Sequence, residues 1–319
     1  MSSILNRVNV RILGLALLAM MFPALAQDEV SAKAWLENMS QALHEKEYKI
    51  SVIQLQAEHI SPLVYIHGKV DAKEVAFLEY LNGPPQSAVR VDNTVSFIEY
   101  KQAPYSVNAK RIPGVLPAGF AGDISRLESG YQFVLGGRSR LAGRPSQLVR
   151  LIPKDDFRFG YQIWLDMETA LPLRYDLMTK DKQLLEQLLV VELLVLDKAP
   201  AILIEAKKQE WPAVVVQAQS TKKTQWDFSW LPQGFRVQTN DQHRLMGNNE
   251  TVEYIALSDG LANISVYISK VGDSPLPEGL VTRNGLGLSA EVVGNVEVVA
   301  VGKVPTETLT RIAKSVVIK

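Results

Sequence analysis

The chain has 319 residues with 47% hydrophobic content and equal numbers of acidic and basic side chains, 34 each, a balance that fits a folded globular protein and excludes a disordered one. Zero net charge argues against a general nucleic-acid binder, which needs a basic surface to displace counterions. With no cysteine, disulfides, thiolate chemistry, cysteine metal sites and a lipid-bearing cysteine are all excluded.

The N-terminus reads as an export signal spanning residues 1–26. Arg7 and Arg11 form a positive region, residues 12–22 an apolar run, and Ala24-Leu25-Ala26 a small-residue cleavage site before Gln27. The run of about 11 residues falls short of the ~20 needed to span a bilayer. A soluble, exported mature chain is expected.

Residues 30–43 predict a helix, with Trp35, Leu36, Met39, Ala42 and Leu43 on one face and Ser31 as N-cap. The period then switches to two, predicting strands over 48–57, 63–70, 75–81, 87–92 and 94–100. Residues 113–123, PGVLPAGFAGD, break the pattern. They read either as an irregular connection or as a mobile apolar lid carrying Val115, Leu116 and Phe120 over a cavity. Strands resume at 131–135, 138–141 and 146–152.

A meander follows. Tyr161, Ile163 and Leu165 alternate with Gln162, Trp164 and Asp166, Pro172 opens a second strand, and residues 184–196 return as a third. About eleven strands and one strong helix imply a mainly β, α+β fold, in which a large curved antiparallel sheet, a half-closed barrel, leaves an apolar concavity. Residues 208–223 read as a polar linker after a domain over 27–207, with a short helix near 202–208. Residues 224–319 then predict a small α+β domain, with hairpins around Ser258-Asp259-Gly260 and Gly294-Asn295 and a closing helix over 306–315.

No catalytic or metal constellation emerges, and no cofactor or enzyme activity is expected. Gly285-Leu286-Gly287-Leu288-Ser289-Ala290 fits a loose dinucleotide pattern but sits among hairpins, so it reads as a turn. The four histidines lack ligand spacing. Arg138, Arg140, Arg144, Arg150, Lys154 and Arg158 read as a solvated strand face or as phosphate contacts. Trp226, Phe228, Trp230 and Phe235 read as core of the small domain or as an interface anchor.

Several segments resemble the MucB/RseB family. In the meander these are Trp164-Leu165-Asp166, Leu171-Pro172-Leu173-Arg174 and Leu185-Glu186-Gln187. In the second domain they are Trp230-Leu231-Pro232-Gln233-Gly234-Phe235, the YIALSDG stretch over 254–260, and Pro305 with Arg311-Ile312-Ala313. The resemblance covers essentially the mature chain. It implies a large domain similar in fold to periplasmic lipoprotein carriers, and a periplasmic negative regulator of an envelope-stress sigma factor. Such a protein binds the periplasmic segment of a transmembrane anti-sigma factor, protects it from regulated proteolysis, and is released by lipid or lipopolysaccharide. Expected cavity or lid residues are Val115, Leu116, Phe120, Arg138, Arg140 and Trp164. Expected partner contacts are Tyr254, Ser258, Asp259, Arg283 and Asn284. The alternative reading is a lipid or lipoprotein carrier, and self-association is left open.

Overall fold

The computed structural model describes residues 30–56, 59–215, 225–244, 251–272, 279–283 and 285–319, with the side chains of 243, 244, 251 and 279–283 excepted. The predicted signal peptide, residues 216–223 of the predicted linker and Asn284 lie outside these residues. No helix among the described residues is long and apolar enough to cross a membrane.

Helix α1 (Ala32–Glu45) starts where the Ser31 hydroxyl accepts a hydrogen bond from the Ala34 amide at 3.1 Å, and it turns Leu36, Met39 and Ala42 inward. The strands that wrap it are β1 (Tyr48–Gln56), β2 (His59–Val70), β3 (Lys73–Tyr80), β4 (Gln86–Val91), β5 (Thr94–Glu99) and β6 (Tyr105–Asn108). The second run is β7 (Tyr131–Leu141), β8 (Arg144–Pro153), β9 (Gly160–Asp166), β10 (Pro172–Met178) and β11 (Leu184–Val195).

All eleven form one sheet in the order β6-β5-β4-β3-β2-β1-β11-β10-β9-β8-β7. The β1–β11 pairing, with Tyr48 opposite Val195, joins two meanders into one antiparallel sheet. The sheet stays open, since β6 and β7 stand at its two ends. Period-two alternation splits its faces. Ile50, Val52, Ile163, Leu165, Tyr175 and Leu188 meet α1 in the main core. On the other side Ile66, Val75 and Val89 are covered by Leu203 and Ala206 of helix α2 (Ala201–Lys208).

The small domain holds a six-stranded sheet built from β13 (Arg236–Arg244), β14 (Thr251–Ser258), β15 (Asn263–Lys270), β16 (Gly279–Arg283), β17 (Leu286–Val293) and β18 (Val296–Gly302). Helix α3 (Thr306–Lys314) covers one face with Leu309, Ile312 and Ala313. A two-stranded ribbon pairs β12 (Trp226–Phe228) with β19 (Val316–Ile318). Trp226 and Phe235 are core here, with Phe228 and Trp230 packed against them.

Three expectations need correction. The strands predicted over 131–135 and 138–141 are one strand, β7, in which a register shift between Leu135 and Arg138 absorbs Gly136-Gly137 as a bulge. The segment 113–123 is not an exposed lid. Phe120 is 0% exposed, Val115 is buried, and short 3-10 turns at Ala118–Ala121 and Ile124–Ser129 fasten the segment across the mouth of the sheet. Burying these apolar side chains in the concavity removes them from water, which a mobile lid would not do. The six cations do not share one solvated face either: Arg144 is paired with Asp166, and Arg158 is buried.

Candidate functional site

Between α1, β1, β2 and residues 111–121 the concave face holds a small cavity, about 50 Å³ measured at water centres, which is room for a few waters only. Its apolar wall includes Leu43, Ile50, Val115, Leu116 and Leu171. Its polar lining is Tyr48, Tyr65, His67, Arg90 and Arg111. These polar groups arrive by the same alternation that builds the core: His67 shares a strand face with Leu63 and Tyr65, and Arg90 shares one with Ala88.

Inside, Tyr48 stacks on His67 with ring centroids 5.3 Å apart. The His67 Nδ1–H donates to the Lys46 carbonyl at 2.8 Å. Arg90 donates to the Lys110 carbonyl and to Glu74, and His44 bonds the other oxygen of Glu74 at 2.8 Å. Burial pulls the Glu74 carboxyl up, but the His44 hydrogen bond and the charge of Arg90 outweigh it, so Glu74 lies below its ordinary value.

Burial pushes the His67 pKa down to about 4, reinforced by the charge of Arg90. Between about pH 6.5 and 4 the unfolded imidazole binds a proton that the folded one refuses, so stability falls as pH falls. From pH 7 to pH 5 the loss through this group is about 2 kcal/mol. Urea unfolding of wild type and His67→Asn at the two pH values should show the variant losing less by that amount. Parallel losses in both proteins would show that His67 titrates normally.

Of the expected cavity residues, Val115 and Leu116 line this space, and Phe120 lies behind it against Tyr161 and Tyr175, with centroids at 5.7 and 6.4 Å. Trp164 lies elsewhere, on the opposite sheet face under Arg174, whose guanidinium carbon is 4.5 Å from the ring centroid. Arg138 and Arg140 are exposed on β7.

The cavity wall leads directly to the small domain. The Gly119 amide donates to the Gly260 carbonyl at 2.6 Å, and a Cβ on Gly119 would come within 2.9 Å of that oxygen. Gly260 itself has φ +102°, a left-handed conformation that suits glycine. One residue away, Asp259 accepts from Arg158 at 2.7 Å, and both side chains are essentially out of solvent. The Asp259 carboxylate also accepts from the Leu261 and Ala262 amides at 2.9 and 2.8 Å, closing its own hairpin turn.

Arg158 further donates to Asp155 at 2.8 and 3.0 Å and to the Gln233 carbonyl at 2.6 Å, between the rings of Tyr131 and Phe235. Burial works against its charge, yet the Asp155 hydrogen bonds and the charge of Asp259 outweigh it and raise Arg158 above ordinary arginine. Around this pair the junction continues. Glu186 of β11 takes Lys303, Thr308 donates to the Phe157 carbonyl at 3.1 Å, and Arg311 lies 3.9 Å over Trp230, which meets Phe157 edge-on.

Ser258 and Asp259, expected at a partner surface, are therefore buried in this junction, where the Ser258 hydroxyl donates to the Ala262 carbonyl at 2.8 Å. Tyr254 is half-buried on β14, facing Tyr267 at 5.2 Å. Arg283 ends β16, and nothing is described of its side chain. Sequence reasoning missed His67, Arg90 and Arg111 as cavity residues. For His67 and Arg90 the available signal was an imidazole or charged side chain at an inward position of an alternating strand; Arg111 lies in the irregular segment after Asn108, where no periodicity marks it.

Comparison with known proteins accounts for this two-part construction. The MucB/RseB N-terminal domain matches residues 31–215, and the MucB/RseB C-terminal domain matches residues 220–317. The chain belongs to the MucB/RseB family. It is 31% identical over 314 residues to the sigma-E factor regulatory protein RseB of Haemophilus influenzae, covering 98% of this chain and 99% of that protein. To the sigma factor AlgU regulatory protein MucB of Pseudomonas aeruginosa it is 28% identical over 309 residues, covering 95% of this chain and 96% of that one. The solved complex of Pseudomonas aeruginosa MucA and MucB contains a chain similar to this one with a TM-score of 0.75 and 26% identity, over 90% of this chain and 99% of that chain. These relatives are regulatory binding proteins, and the described residues hold no cluster of three or more His, Cys, Asp or Glu side chains able to bind a metal.

Proposed function

We propose that this protein is a periplasmic regulator that binds the periplasmic segment of a transmembrane anti-sigma factor and shields it from the protease that begins its destruction. In this way it restrains an envelope-stress sigma factor. The observation that carries this reading is the likeness, over nearly the whole chain, to MucB seen in complex with MucA. The names of the relatives, regulators of sigma-E and of AlgU, support the same role.

Lipid or lipopolysaccharide fragments entering the concave face are the proposed release signal. The supporting geometry is the segment 111–121, which lines the cavity with Val115 and Leu116 and is hydrogen-bonded to the small domain through Gly119. A chain that displaced Val115 and Leu116 would pull on that bond and on the Arg158–Asp259 pair beside it. A pure carrier role is favoured less, because about 50 Å³ holds a few waters and no acyl chain until the segment moves. The partner segment is proposed to lie mainly on the small domain around Tyr254 and the β16–β17 turn, with Ser258 and Asp259 acting from beneath by holding the junction.

Calorimetric titration of the mature protein with the periplasmic segment of the anti-sigma factor from the same genome tests the first claim. Association at about micromolar Kd or tighter, roughly −8 kcal/mol, is the expected result. No binding at concentrations a hundredfold higher would refute it.

A further inference from the structure

The polar side of the cavity holds three groups whose hydrogen-bonding capacity is not used up. His67 is buried and spends Nδ1–H on the Lys46 carbonyl, so Nε2 carries a bare lone pair, and it has no partner. Arg90, also buried, commits its terminal nitrogens to Lys110 and Glu74, while its Nε has none. Arg111 makes a long contact to the Pro117 carbonyl at 3.3 Å, and no carboxylate pairs with it among the described residues.

Burial pushes the Arg111 guanidinium below its ordinary value, and the nearby Arg90 pushes the same way. Glu74 can balance one of these two arginines. The lining is therefore left with an excess positive charge in a largely apolar setting, an arrangement that costs free energy unless an anion completes it.

We propose that this cavity receives the head of an amphiphile that carries both an anionic group and a hydroxyl. The anion would sit on Arg90 and Arg111, and the hydroxyl would donate to His67 Nε2. This rests on the lipid-release reading above and adds the chemistry of the head group. The two guanidinium groups ask for an acceptor, and the neutral imidazole asks for a donor, so neither a plain alcohol nor a plain carboxylate satisfies all three. The room available suits a head of a few heavy atoms. The chain would run past Leu43 and Ile50 by displacing Val115 and Leu116, the movement of the segment 111–121 that the release reading requires.

Calorimetric titration of the mature protein at pH 7.5 with four probes below their micelle concentrations provides the test: 2-hydroxydodecanoate, dodecanoate, 1-dodecanol and lactate. The expected order is 2-hydroxydodecanoate tightest, then dodecanoate, then the alcohol, with about tenfold or more between acid and alcohol. Lactate, which has the head without the chain, should bind far more weakly. Arg111→Met should bring dodecanoate and dodecanol together, and His67→Phe should bring the two acids together.

Wild-type protein alone already decides the matter, whether or not either variant folds. Equal affinity for acid and alcohol would overturn the head-group proposal while leaving lipid release standing. Lactate binding as tightly as 2-hydroxydodecanoate would mark a site for free small anions and overturn the amphiphile. Selectivity unchanged in a folded Arg111→Met would place the anion elsewhere, and no binding of any chain-bearing probe would overturn both readings.

Discussion

Replacing Asp259 with alanine is expected to cost about 3 kcal/mol, because it takes one of two carboxylates from the buried Arg158 guanidinium and leaves Asp155 as its remaining charged partner. The substitution also removes the acceptor for the Leu261 and Ala262 amides, so the turn that meets Gly119 loses its lock. Asp259→Asn separates the two contributions, since an amide oxygen can still accept from those amides but offers no charge to Arg158. Urea midpoints for Asp259→Ala, Asp259→Asn, Arg158→Ala and the double alanine variant would measure the coupling directly. A double variant less destabilised than the sum of the singles is expected. Asp259→Ala within about 0.5 kcal/mol of wild type would mean that the junction is open in solution.

Phe120→Ala should be comparably damaging, about 3–5 kcal/mol, for a different reason. Its ring is 0% exposed and wedged against Tyr161 and Tyr175, so truncation leaves a void at the centre of the main core. Phe120→Asp, which on the lid reading would sharply weaken acyl-chain binding, becomes a folding mutation because it buries an unpaired carboxylate. Leu116→Asp is the better probe, since Leu116 is half-buried and lines the cavity. Thermal or urea unfolding of Phe120→Ala with a loss under about 1 kcal/mol would show that the 113–123 segment is loosely held after all.

These two sites show where sequence reading reached and where it stopped. The strands of the large sheet were legible because Tyr161, Ile163 and Leu165 or Tyr48, Ile50 and Val52 alternate cleanly, and one buried face enforces that period. The hairpin at Ser258-Asp259-Gly260 was legible from its turn residues. What that turn does was not, because Asp259 finds Arg158 across 101 residues of sequence, and no local pattern encodes such a pairing. The segment 113–123 misled for a related reason: prolines and glycines signal irregular backbone, yet they say nothing about whether Val115 and Phe120 are covered. Strand β6 was missed because Tyr105-Ser106-Val107-Asn108 is too short for alternation to register.

The most direct test of the whole account is reciprocal titration. If a lipid in the concave face releases the anti-sigma segment through Gly119–Gly260 and Arg158–Asp259, linkage requires the effect to run equally in both directions. The affinity for the segment should fall on adding saturating amphiphile, and the affinity for amphiphile should fall by the same factor on adding saturating segment, about 5–150-fold for a coupling of 1–3 kcal/mol. Asp259→Asn, if folded, should shrink that factor in both titrations together. Affinities unchanged by the other ligand, with both ligands demonstrably bound, would contradict the release mechanism even if each site exists.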